Sequence, residues 1–129
     1  MSLKLSKNVG LTDIVTDVNP ITTEHPITGS AAEVKLWLFN DQSTKRYENI
    51  MIDPTDIVSA DESTWIQLAP DNAGVAGAYL AGGAPLALAN ITDSNVAKPF
   101  WMKVTTPTVA DTQNKTDIKL TVTAKEYAV

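Results

Sequence analysis

Six stretches of the chain alternate apolar and polar positions with a period of two. Leu3 and Leu5 alternate with Lys4 and Ser6. Val34, Leu36 and Leu38 alternate with Lys35, Trp37 and Phe39. Ile50 and Ile52 alternate with Asn49, Met51 and Asp53, and Ile66 and Leu68 with Trp65 and Gln67. Phe100, Met102 and Val104 alternate with Trp101, Lys103 and Thr105, and Ile118, Leu120 and Val122 with Lys119, Thr121 and Thr123. Successive side chains of a strand point to opposite faces, so each stretch predicts a strand with one buried face. Leu86 to Ile91 is a shorter, more apolar strand candidate, and Ile14 to Val18 a weaker one. No segment carries a capped 3.6-residue stripe; Asp56 to Glu62 has room for one helical turn.

Turn-forming clusters separate the strands: Asn40-Asp41-Gln42-Ser43, Asp53-Pro54, Pro70-Asp71-Asn72, Gly82-Gly83 and Thr106-Pro107. Many short strands with frequent turns predict an all-β fold. The expected form is an antiparallel β-sandwich, immunoglobulin-like or Greek-key, with a small barrel as the alternative. The Cys–Trp–Cys pattern of antibody domains is absent. Residues 7–32 are polar, contain Thr and are punctuated by Pro20 and Pro26, and residues 1–32 read as an extended N-terminal arm ahead of a sandwich domain at 33–129. Asp71 to Pro85 is long for a hairpin connection and uncharged after Asp71, yet holds Val75, Tyr79 and Leu80. Such a segment is expected to lie against its own domain or against a partner.

The strand phase has a consequence for the tryptophans. If the aliphatic positions face the core, Trp37, Trp65 and Trp101 all fall on the opposite parity, with Lys35, Phe39, Gln67 and Lys103. Two readings stay open. The arm or the Asp71–Pro85 loop covers the rings or a bulge shifts the phase, or some of the rings belong to a protein-binding surface, where Trp and Tyr commonly act as anchors. On the second reading the candidate partner-binding residues are Trp37, Trp65, Trp101, Tyr79 and Leu80.

Composition narrows the chemistry. The 129 residues hold no Cys, one His, 10 basic and 15 acidic residues, for a formal charge of −5. A disulfide scaffold, a Cys-based zinc site, a thiol nucleophile and an electrostatic DNA binder are thereby excluded. His25 sits in the polar arm between Glu24 and Pro26, a poor setting for a general base. No serine lies in a G-x-S-x-G turn, and no phosphate-binding glycine motif is present. Asp53, Asp56, Asp61 and Glu62 cluster, but their spacing fits no EF-hand loop, and solvated loop acids are the simpler reading. No catalytic, cofactor or metal site is therefore expected, and no membrane span. The N-terminal stretch has no apolar run of signal-peptide length, so a cytosolic place of synthesis is expected.

The stretches EVKLWLFND (33–41), YENIMIDP (47–54), TWIQLAPD (64–71), KPFWMKVTTP (98–107) and KTDIKLTVTAKEYAV (115–129) resemble small virion proteins of tailed bacteriophages. In that family an immunoglobulin-like or related β-sandwich decorates, or cements, the capsid exterior. Similar sandwiches occur in tail, neck and baseplate components. The resemblance spans about residues 33 to 129 and implies a structural role in many copies, without cofactor. It further implies the major capsid protein or other virion proteins as partners, homo-oligomeric or repeated placement on the particle, and assembly in a host cytoplasm. It assigns no individual binding residue. A carbohydrate-binding module is the rival from another class, since sandwiches with exposed tryptophans stack on sugar rings.

Overall fold

The computed structural model describes residues 3–16, 18–25, 30–56, 65–106 and 113–129. These form nine strands, and among the described residues there is no α-helix. In chain order they are β1 (Leu3–Ser6), β2 (Ile21–His25), β3 (Ala31–Asn40), β4 (Lys45–Asp56), β5 (Ile66–Asn72), β6 (Val75–Ala76), β7 (Leu86–Leu88), β8 (Lys98–Thr105) and β9 (Gln113–Ala128). A five-stranded sheet has the order β1-β3-β8-β5-β6 and a four-stranded sheet the order β2-β9-β4-β7. Every pairing is antiparallel. The protein is thus all-β, with two antiparallel sheets.

The aliphatic parity of the sequence becomes the shared core. Leu36, Leu38, Ile66, Leu68, Phe100, Met102 and Val104 of the five-stranded sheet join Ile21, Tyr47, Ile50, Ile52 and Leu86 of the four-stranded sheet in one buried cluster. Each such side chain contributes about 1.5–3 kcal/mol when fully withdrawn from water. Alternation alone does not place Tyr47, which lies three residues from Ile50 although both are buried. A β-bulge reconciles them. The β4–β9 register runs from Glu48 opposite Lys125 to Met51 opposite Thr123, so β4 carries one extra residue. Asn49 takes up that residue in the left-handed region, at φ 53°.

The segment expected as an arm contributes to both sheets. Leu3 and Leu5 of β1 and Ile21 of β2 are core residues. Between them the chain folds back on β1, with Val15 N–H donating to Leu5 O at 2.9 Å and Lys7 N–H to Asp13 O at 2.8 Å. Residues 26–29 lie outside the described residues, as do 57–64, which include most of the expected helical turn at 56–62 together with Asp61 and Glu62. The Glu24, His25 and Asp56 side chains also fall outside the description.

The uncharged segment after Asp71 seals an edge. A two-residue turn, Ala73 at φ 54° and Gly74 at φ 93°, reverses the chain between Asn72 and Val75. The chain then runs along β5. Gly77 N–H donates to Pro70 O (2.8 Å), Leu80 N–H to Leu68 O (2.8 Å) and Gly83 N–H to Ile66 O (2.9 Å). A Cβ at position 77 would lie 3.1 Å from both the Pro70 ring and the Pro70 carbonyl, so the close approach favours glycine. Among the described residues no helix is long and apolar enough to cross a membrane.

Candidate functional site

The outer face of the five-stranded sheet carries the side chains that alternation turns away from the core. Cross-strand pairing sets their neighbours. Lys35 of β3 lies opposite Trp101 of β8, Trp37 opposite Pro99, and Glu33 opposite Lys103. On the other side of β8, Ala69 of β5 lies opposite Trp101 and Gln67 opposite Lys103. Trp37, Trp65 and Trp101 are all half-buried and none belongs to the core cluster. Phe39, on the same parity of β3, is buried at 4% exposure, so part of this face is covered.

Two linked groups stand on the face. In the first, the Lys35 ammonium lies 5.5 Å from the ring centroids of both Trp37 and Trp101. It is also 3.5 Å from Asp71 Oδ1. The same oxygen accepts a hydrogen bond from Trp101 Nε1 at 2.9 Å. Ring, cation and carboxylate close a circuit that fixes the orientation of Trp101. Exposed cation–π contacts of this kind contribute about 0.5–1 kcal/mol each. The Trp101 indole, with help from the Gly74 amide and Lys35, holds the Asp71 carboxyl below its ordinary pKa against the opposing effect of burial.

In the second group, the Tyr79 hydroxyl donates to Glu33 Oε2 at 2.8 Å, and the Lys103 ammonium lies 4.4 Å from the Tyr79 ring centroid. Burial, then the Glu33 carboxylate, raises the Tyr79 pKa. Tyr79 thus ties the sealing segment across β5 and β8 to β3. Beside it, Gln67 Nε2 donates to Leu80 O at 3.1 Å.

The structure therefore brings together Trp37, Trp101 and, through its neighbours, Tyr79. Trp65 stands just ahead of β5, four residues before the Ala69 that faces Trp101, or about 13 Å along the strand. Leu80 packs its side chain against the core. The charged members of the face, Lys35, Glu33, Lys103 and Asp71, were not singled out by sequence pattern. Parity places Lys35 and Lys103 beside the rings, but only the β5–β8 register brings Asp71 within reach of Trp101.

Among the described residues no group of three or more His, Cys, Asp or Glu side chains is placed to hold a metal ion. What the face offers is aromatic area, held in fixed orientation, with paired charges around it. No family model matches the chain, and neither curated proteins nor solved structures give a match.

Proposed function

We propose that this chain is a structural protein of a bacteriophage virion, a capsid decoration protein that binds the outer capsid surface and stabilises the shell by bridging capsomers. The observation that carries this is the outer face of the five-stranded sheet, where Lys35 and Asp71 hold Trp37 and Trp101 half-buried and pre-oriented. The resemblance of residues 33–129 to tailed-phage virion proteins supports it. So does the pair of sheets around one core, which suits a β-sandwich of the immunoglobulin-like or Greek-key kind. The role is binding, not catalysis, and the partners are the major capsid protein and other virion proteins.

Full burial of an aromatic ring removes about 150–250 Å² from water; Trp37 and Trp101 are already half-buried, so docking gains only the remaining part of the about 4–6 kcal/mol this represents, before the costs of association. Fixing the rings beforehand reduces the entropy lost on docking. Modest contacts repeated around a symmetric shell then add through avidity. Lys35 places its ammonium over the rings, the position a stacked sugar would take, and that favours a protein partner over a glycan.

Fractionation of intact particles followed by quantitative mass spectrometry tests the assignment. Copies in proportion to capsomers, retained on heads, are expected. Copies that follow detached tails would move the protein to the tail, neck or baseplate, and absence from every particle would end the virion assignment. Glycan binding that disappears in Trp101→Ala would replace it with a carbohydrate-binding role.

A further inference from the structure

β9 is the longest strand of the protein, and its two edges are covered unequally. Toward β4 it is paired from Ile118 to Ala128; toward β2 it is paired only from Gln113 to Ile118. From Lys119 to Ala128 no described strand lies on the β2 side, and no described backbone hydrogen bond reaches that edge. The sequence supplies the cause. Pro20, immediately ahead of β2, has no N–H to extend the ladder. Asn19 is held elsewhere: its backbone pairs with Thr16, its amide donates to Asp13 Oδ1 (2.7 Å) and Ile14 O (2.8 Å), and its Oδ1 accepts from Lys7 Nζ (3.1 Å). The chain leaves β9 at this point and returns toward β1.

The open edge has a defined chemistry. Its backbone donors and acceptors, at every second residue, call for an extended strand. On the core side Leu120, Val122 and Ala124 pack against the cluster but are only partly buried. On the outer side Lys119, Thr121, Thr123, Lys125 and Tyr127 are exposed. An occupant must supply small apolar residues opposite Val122 and Ala124 on one side and no opposing lysine on the other.

We propose that the occupant is a second copy of this chain, its β9 antiparallel to β9 across a two-fold axis at Thr123. In this register Thr123 faces itself, Thr121 faces Lys125, and Lys119 faces the ring of Tyr127. On the core side Val122 faces Ala124 on both sides of the axis, and at the ends of the stripe Leu120 faces Glu126, whose carboxylate accepts from the Tyr47 hydroxyl. Moving the axis to Val122 sets Lys119 against Lys125, and like charges directly opposite are destabilising. Moving it to Ala124 carries the Glu126 carboxylate from Leu120, at the end of the stripe, to Val122 beside the axis. The two lysines thus exclude the register centred on Val122 and discourage indiscriminate pairing. The interface is isologous: one contact satisfies both open edges, and the assembly closes at two. This dimer does not depend on the capsid assignment.

Sedimentation velocity of the purified chain, with a cysteine cross-link as register probe, tests it. The wild type is expected at twice the mass of one chain. The sequence has no cysteine, and Cα atoms directly opposite in an antiparallel ladder are about 4.5–5.5 Å apart, within disulfide range. Thr123→Cys is therefore expected to form an intermolecular disulfide on oxidation, while Ala87→Cys on β7 does not. Thr123→Lys opposes two ammonium groups at the axis and is expected to weaken dimerisation by about tenfold or more with an unchanged circular dichroism spectrum. A monomer at all concentrations overturns the proposal. So does a dimer that Thr123→Lys leaves intact and Thr123→Cys fails to cross-link.

Discussion

Asp71 holds the aromatic patch together, because one of its oxygens meets both the Trp101 indole and the Lys35 ammonium. Its folded pKa lies below the ordinary 3.8, chiefly through the Trp101 hydrogen bond. A carboxyl lowered by folding contributes stability that is complete above its unfolded pKa and lost as pH falls through the folded one. The Trp101 indole N–H resonance is therefore expected to move with acidification, in a transition whose midpoint lies below 3.8. Movement centred above that value contradicts the pairing, and Asp71→Asn should abolish the transition. Tyr79 shifts in the opposite direction, its pKa raised by burial and by Glu33. Near-ultraviolet titration of Glu33→Gln should show one tyrosine ionising at lower pH than in the wild type; an unchanged curve argues against the Tyr79–Glu33 contact.

The strands that set the patch depend on phase, and in β4 the phase is corrected by the bulge at Asn49. Asn tolerates the left-handed backbone better than other side chains, and a β-branched residue tolerates it poorly. Asn49→Val is expected to cost about 1–2 kcal/mol in urea denaturation, whereas Asn49→Gly should stay within about 0.5 kcal/mol. Equal stabilities would mean that the bulge is absent or elsewhere. The same region shows what sequence can and cannot convey. In β3, β5 and β8 strict alternation marked the buried positions Leu36, Leu38, Ile66, Leu68, Phe100 and Met102, and with them the outward turn of Trp37 and Trp101. The inward turn of Tyr47 was hidden, because one extra residue inverts the parity. β2 was hidden for another reason: among its described side chains only Ile21 and Thr23 are buried, too sparse a signal to separate a strand from a polar arm. The course of the Asp71–Pro85 segment rests on backbone hydrogen bonds to Pro70, Leu68 and Ile66, which leave no trace in side-chain pattern. The contact between Asp71 and Trp101 depends on register across 30 residues of chain and was illegible for that reason.

For the molecule as a whole, the two proposed contacts occupy different sheets. The patch lies on the outer face of the five-stranded sheet and the open edge on β9 of the four-stranded sheet. A dimer closed through β9 would carry two patches, so bridging two neighbouring capsid subunits would convert a modest single-site affinity into an avid one. The most direct measurement of the partner-binding claim is co-sedimentation of the purified chain with particles that lack it, wild type against Trp101→Ala. Loss of the half-buried ring is expected to cost about 1–2 kcal/mol, leaving the two-sheet fold in place by circular dichroism. The wild type should pellet with the particles to saturation, and the folded Trp101→Ala protein should remain in solution. Equal retention of both proteins, or no retention of the wild type, would contradict a partner-binding role for this face.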